Sequence, residues 1–226
     1  MNGSVFVLDG LARVVARVSL LGMFAAFAAY TAAYVVLLVG HRIPAWTSAA
    51  AFLRGRGRPW FRLLTFCQGC AFVTPLLFVG FAASLDAAAV HRYEAVTRIA
   101  LSSAIAYAVL SSVYYFVQAA LVRTDLSGGR VEGLSQLFQL NPASVFTAVN
   151  VLGWTVFFAV ACLCLGVLLA WPGGSPLLGA LLLANGLVCV LGAAGYLGRV
   201  RVLSVLYFNG MGLAVLAFSL AGVVLL

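Results

Sequence analysis

Lysine is missing from this chain of 226 residues, and charge of either sign is scarce, with Asp, Glu, Lys and Arg together making up 8%. A soluble domain carries about 25% charged residues. Hydrophobic residues make up 65%, so lipid rather than water is the solvent that such a chain suits. Alternating apolar and polar strands of the kind that close into membrane barrels are absent too. The apolar runs are continuous and long enough for helices of about 20 residues, the length that crosses a hydrocarbon core roughly 30 Å thick.

Other absences narrow the chemistry. From Pro142 to Gly198 there is no Asp, Glu, Lys, Arg or His. Asp86 and Glu94 flank one connector and Asp125 and Glu132 another, so no span offers an acid or a base for catalysis. Proton- or ion-coupled transport usually leaves an ionisable residue inside the membrane, and none is found here. The two histidines, His41 and His91, fall at opposite membrane faces and cannot share an axial ligand pair. No metal and no cofactor is therefore expected. The five cysteines are odd in number and lie inside apolar runs, which is not a secreted disulfide framework.

What is present is six apolar runs, read as spans at about 18–40, 61–85, 97–122, 142–171, 177–198 and 202–226 of one transmembrane domain. The fold class expected is all-α, a polytopic bundle of six transmembrane helices. The first run exceeds the 7–15 apolar residues of a signal peptide, so it reads as a retained span. Pro75 removes a backbone donor within the second span and is expected to kink it. Asn141 followed by Pro142 reads as the N-cap and first residue of the fourth span. Trp46–Leu53 and Leu134–Leu140 are read as segments lying along the membrane surface.

The net charge is +8, and every basic residue is Arg. Arginines flank membrane helices on the cytoplasmic side and attract anionic lipid, so the partner expected is membrane lipid and not nucleic acid. Arg54, Arg56, Arg58 and Arg62 are the candidate head-group contacts. Arg42, Arg123, Arg130, Arg199 and Arg201 fall on the same side, against Arg13, Arg17, Arg92 and Arg98 on the other. Heavy Ala, Gly, Val, Leu and Arg usage suggests a GC-rich bacterial genome, and the arginine bias predicts an inner-membrane protein with both termini extracytoplasmic.

Uncharged polar residues are the remaining candidates. Ser103, Tyr107, Ser111, Tyr114 and Gln118 recur at spacings of three and four, which puts them on one helical face. Gln68, Asn150, Asn185 and Asn209 sit within other spans. Amides are costly in lipid unless paired, so Gln68, Tyr107, Ser111, Tyr114, Gln118, Asn150, Asn185 and Asn209 are expected to form a polar interior. Two readings of that set stand, interhelical hydrogen bonding and a cytoplasm-facing cavity for a small solute or lipid. Cys67-Gln-Gly-Cys70 offers a thiol redox motif or two small packing residues. Cys162-x-Cys164 points its thiols about 200° apart on a helix and makes a poor chelate.

Tyr115 and Gln118 leading to Val122-Arg123, then Asn141-Pro142 with Val149 to Gly153, and Ala184-Asn185-Gly186, are similar to motifs of an uncharacterised family of bacterial six-helix membrane proteins. Members of that family often carry Glu where this chain has Asn150. A neutral amide there removes an acid–base role, and the resemblance implies architecture alone.

The expected function is non-enzymatic binding or passage of a small solute or lipid through the polar interior. The alternatives are a membrane-embedded thiol redox enzyme using Cys67 and Cys70, and a structural subunit. A second copy of the chain or a partner membrane subunit are the protein partners left open.

Overall fold

The computed structural model describes residues 6, 8–41, 48, 58–122, 133–138, 141 and 143–226. Helix α1 is Gly10–His41, α2 is Arg58–Ala87 and α3 is Glu94–Val117. Helix α4 spans Val145–Ala170, α5 is Pro176–Leu197 and α6 is Arg201–Leu225. All six, with α3 extended by its flanking turns, are long and apolar enough to cross a membrane. The chain is an all-α, multi-pass membrane protein. Among the described residues no strand forms; Phe6 and Ala89 make one isolated antiparallel bridge.

Local chemistry sets the helix ends. Asp9 caps α1, accepting from the Ala12 N–H at 2.7 Å, so the helix begins well before residue 18. Helix α4 starts later than the Asn-Pro pair implies. Ser144 is its N-cap and accepts from the Thr147 N–H at 2.9 Å. Asn141 instead locks the preceding connector. Its Oδ1 accepts from the Ala143 N–H at 3.0 Å, and its Nδ2 donates to the Ser135 carbonyl at 2.6 Å. Pro75 sits inside α2, which continues on both sides of it.

Among the described residues two π-helical turns interrupt the regular pitch. Gln118–Val122 ends α3, and Gly153–Phe157 lies within α4. A π turn adds a residue without ending the helix and re-aims the side chains around it.

Each helix packs against the next, and α1 packs against α6, which closes the six into a ring. The middle of the ring is filled by aromatic side chains. The Tyr107 ring lies 4.7 Å from Phe158 and 4.8 Å from Trp154, and Phe78 lies 4.8 Å from Phe158. A smaller apolar core caps one end of the ring, where Leu37, Trp60, Leu64, Cys67 and Val122 meet Leu134 and Phe138. Leu134 and Phe138 are buried against the bundle, and a short helical turn, Leu134–Gln136, forms there. Residues 46, 47 and 49–53 of the other expected surface segment lie outside the described residues.

Glycines set the close approaches. A Cβ at Gly179 of α5 would meet the backbone nitrogen of Ala170 and come within 2.8 Å of the Gly166 carbonyl. Gly192 leaves room for the Tyr207 ring. Small residues at such positions let membrane helices gain dispersion contact that lipid cannot supply. Large apolar side chains such as Leu21, Val36, Phe116 and Leu213 face outward, as lipid contact demands.

Candidate functional site

Between the aromatic centre and the smaller core lies a partly open cavity of about 200 Å³. It is lined from five helices. Phe27, Tyr30 and Tyr34 come from α1, and Leu64, Cys67, Gln68 and Ala71 from α2. Tyr114 and Tyr115 come from α3, Thr147, Asn150, Val151 and Trp154 from α4, and Tyr207, Phe208 and Met211 from α6. The spacings 27–30–34, 64–67–71, 147–150–154 and 207–211 are steps of three and four, so each helix offers one face. Among the described residues α5 adds none to the lining.

All these positions lie in the half of the bundle where α1 and α3 end and α2, α4 and α6 begin. By sequence, the connectors and helix ends there carry nine of the thirteen arginines. Arg62 and Arg201 are exposed there. Arg58 opens α2, and Arg54 and Arg56 lie outside the described residues. Toward the other end the cavity is closed by Phe27, Met211 and Trp154, with Tyr107 and Phe158 packed against the Trp154 indole.

Among the described residues the cavity wall holds no charged side chain. It does hold unsatisfied polar atoms. Asn150 Oδ1 and Trp154 Nε1 are buried without a hydrogen-bond partner. The Tyr115 hydroxyl lies beside both residues but meets hydrogen-bond geometry with neither atom. A buried, unpaired polar group costs about 1–3 kcal/mol, and such costs concentrate where a ligand or water completes the site. Among the described residues the hydroxyls of Tyr30, Tyr34 and Tyr207 also make no hydrogen bond to protein.

The structure brings Gln68, Tyr114 and Asn150 together on this cavity and puts the other polar candidates elsewhere. Tyr107 lies in the aromatic centre, fully buried. Ser111 packs beneath Gly153 of α4. Gln118 is buried at the start of the first π turn and donates from Nε2 to the Leu137 carbonyl, tying the connector to α3. Asn185 is buried between α4 and α5, where its Nδ2 donates to Cys162 Sγ at 3.3 Å.

Asn209 requires a correction. It is exposed on the outer face of α6, and its Nδ2 donates to the Val205 carbonyl of its own helix at 2.8 Å. The inward face of α6 runs through Tyr207, Met211, Val215 and Phe218. Asn209 is two residues from Tyr207, about 200° around the helix, so it cannot share that face.

All five cysteines are free. Cys67 is buried on the cavity wall, its thiol 4.0 Å from the Tyr30 carbonyl. Cys70 is half-buried and is not part of the wall, so the pair does not face the cavity together. His91 is exposed and pairs with Glu94 at 3.2 Å, whereas His41 ends α1 at the opposite end of the bundle. Among the described residues no three His, Cys, Asp or Glu side chains gather as a metal would need.

No protein-family model, curated protein or solved structure matches this chain. Its cavity is therefore interpreted from its own chemistry. Sequence reasoning passed over Tyr30, Tyr34, Tyr207 and Trp154 because their rings count as apolar. The readable signal was the step of four between Tyr30 and Tyr34, the same kind of step that marks the stripe on α3.

Proposed function

We propose that this protein is a non-enzymatic binding protein of a bacterial inner membrane, holding a small solute or part of a lipid in the cavity between α1, α2, α3, α4 and α6. One observation carries the reading. A cavity of about 200 Å³ is walled by amides and tyrosines and, among the described residues, by no acid, base or charge. Binding is favoured over passage because aromatic side chains close the cavity toward the far end. The thiol redox alternative has weaker support, since only Cys67 reaches the cavity. The arginine bias supports an orientation with the cavity in the cytoplasmic half of the bundle, and the resemblance to a six-helix family agrees with the architecture without adding an activity.

Cys67 supplies a native reporter. In a variant whose other cysteines are Ala, a small maleimide should alkylate Cys67, and also a cysteine at Thr147→Cys. Filling the space with Ala71→Trp should block both reactions. Alkylation of neither thiol under native conditions would rule out an accessible cavity.

A further inference from the structure

We propose that the cavity takes a neutral lipid, which enters sideways from the bilayer between α1 and α6 and sets a hydroxylated head group, of the acylglycerol kind, among the tyrosine hydroxyls. This inference rests on the binding reading above and names its ligand class.

A gap in the ring of helices carries the argument. Helices α1 and α6 meet where a Cβ at Gly222 would strike the Leu20 side chain, and where one at Gly212 would touch the Phe27 ring at 3.4 Å. Phe208 lies one turn before Gly212 on the same side of α6, so it too faces α1. It is not covered there. Phe208 is 65% exposed and is also part of the cavity wall. Tyr34 of α1, on the same wall, is half-buried. The cavity thus reaches the outer surface of the bundle between α1 and α6.

The medium outside that gap is lipid. Phe208 is seven residues from Arg201 at the start of α6, about 10 Å along the helix axis. Exposed apolar side chains continue on both helices, Val205 and Leu213 on α6 and Val35 and Val36 on α1. A molecule that enters there comes from among acyl chains.

The wall sets the head group. Among the described residues it has no charged side chain, so a phosphate or an ammonium would be buried without a counter-ion, which a low dielectric penalises heavily. Uncharged hydrogen-bonding groups without partners are present instead. Among the described residues the hydroxyls of Tyr30, Tyr34 and Tyr207 make no bond to protein. Asn150 Oδ1 and Trp154 Nε1 are also unpaired. The amide oxygen accepts, the indole donates, and a tyrosine hydroxyl does both. A ligand hydroxyl, itself donor and acceptor, complements all of them. A bare ester carbonyl lacks the donor that Asn150 Oδ1 needs.

Size agrees. A cavity of about 150 Å³ holds benzene, and glycerol has as many heavy atoms as benzene. The space of about 200 Å³ holds a glycerol head group and is too small for an acyl chain, which stays outside beside Phe208.

The test uses the full chain in phosphatidylglycerol nanodiscs, with Cys67 as the only cysteine and its alkylation as the report of occupancy. Monooleoylglycerol should protect Cys67. Methyl oleate, which has the same chain and no hydroxyl, should protect it at least about tenfold less. Tyr30→Phe combined with Tyr207→Phe keeps both rings and removes two hydroxyls. It should weaken protection by monooleoylglycerol about tenfold and leave the melting temperature and the effect of methyl oleate unchanged. A monoacylglycerol with a diazirine early in its chain should photolabel α1 and α6 around Tyr34 and Phe208, as read by peptide mass spectrometry. A phosphatidylglycerol with the same chain should not concentrate there.

Equal protection by methyl oleate, undiminished protection in the double Phe variant, or photolabelling spread evenly over the exposed helix faces would overturn the proposal. Free glycerol protecting as strongly as monooleoylglycerol would overturn it too, and would make the ligand a solute. If Cys67 is alkylated and monooleoylglycerol does not protect it, the ligand class is wrong while the cavity reading stands. If Cys67 is never alkylated, the cavity reading itself fails.

Discussion

Asn150 and Asn209 are the same side chain at similar depth, and their surroundings give them opposite roles. Asn209 bonds its own helix and faces outward. Asn150 lines the cavity with its Oδ1 unpaired. Replacing Asn209 by Leu should change unfolding free energy by no more than about 0.5 kcal/mol, as for other exposed positions. Replacing Asn150 by Leu should hold or raise stability, because an unpaired buried acceptor costs about 1–3 kcal/mol. Denaturant unfolding in detergent compares the two. A clear loss of stability in Asn150→Leu, with no change in Asn209→Leu, would mean that Asn150 is a structural bond and not a ligand group. The sequence could not separate these amides. Helix α6 is apolar on every side, so no period marks its inward face. On α3 the polar steps are regular, and four of its five marked residues, Tyr107, Ser111, Tyr114 and Gln118, are buried in the structure.

At the scale of single helices, termini depend on one side chain each. Ser144 caps α4 where Asn-Pro three residues earlier looked like the start. Ser144→Ala should cost about 1 kcal/mol and loosen the first turn, which carries Thr147 to the cavity. Asp9 shows the same dependence at α1, and a lone acid ahead of an apolar run is a weak sequence signal. The π turns were illegible for a different reason. No local pattern in the sequence marks the extra residue of either turn. Glycines separate along the same line. Gly179→Val would drive a side chain into the Ala170 backbone and should destabilise by about 1–3 kcal/mol. Gly69 has nothing within 4 Å of an added Cβ, so Gly69→Ala should stabilise α2 by about 0.5–1 kcal/mol. Thermal unfolding of the two variants should move in opposite directions. A shared direction would mean that space between α4 and α5 does not govern the cost.

For the whole molecule, the closed ring of helices makes the two ends electrically unlike. At one end Arg13, Arg17, Arg92 and Arg98 stand with Asp9, Asp86 and Glu94. Glu94 there pairs with Arg98 at 3.1 Å, and Asp86 accepts from the Thr97 hydroxyl at 2.6 Å. The connectors and helix ends at the other end carry the remaining arginines against only Asp125 and Glu132. The cavity lies in the half of the bundle nearer that second end, so orientation decides which side of the membrane it is closer to. Arginines near the spans are retained in the cytoplasm, and acids count for little in that rule. Arg13 and Arg17 lie in the first turns of α1 and oppose that orientation, so labelling of single positions decides it. In a background with the native cysteines replaced, Arg92→Cys should react with an impermeant maleimide in intact cells. Arg56→Cys should react only after the membrane is opened. The opposite pattern would turn the molecule over and put the cavity in the outer half of the bundle.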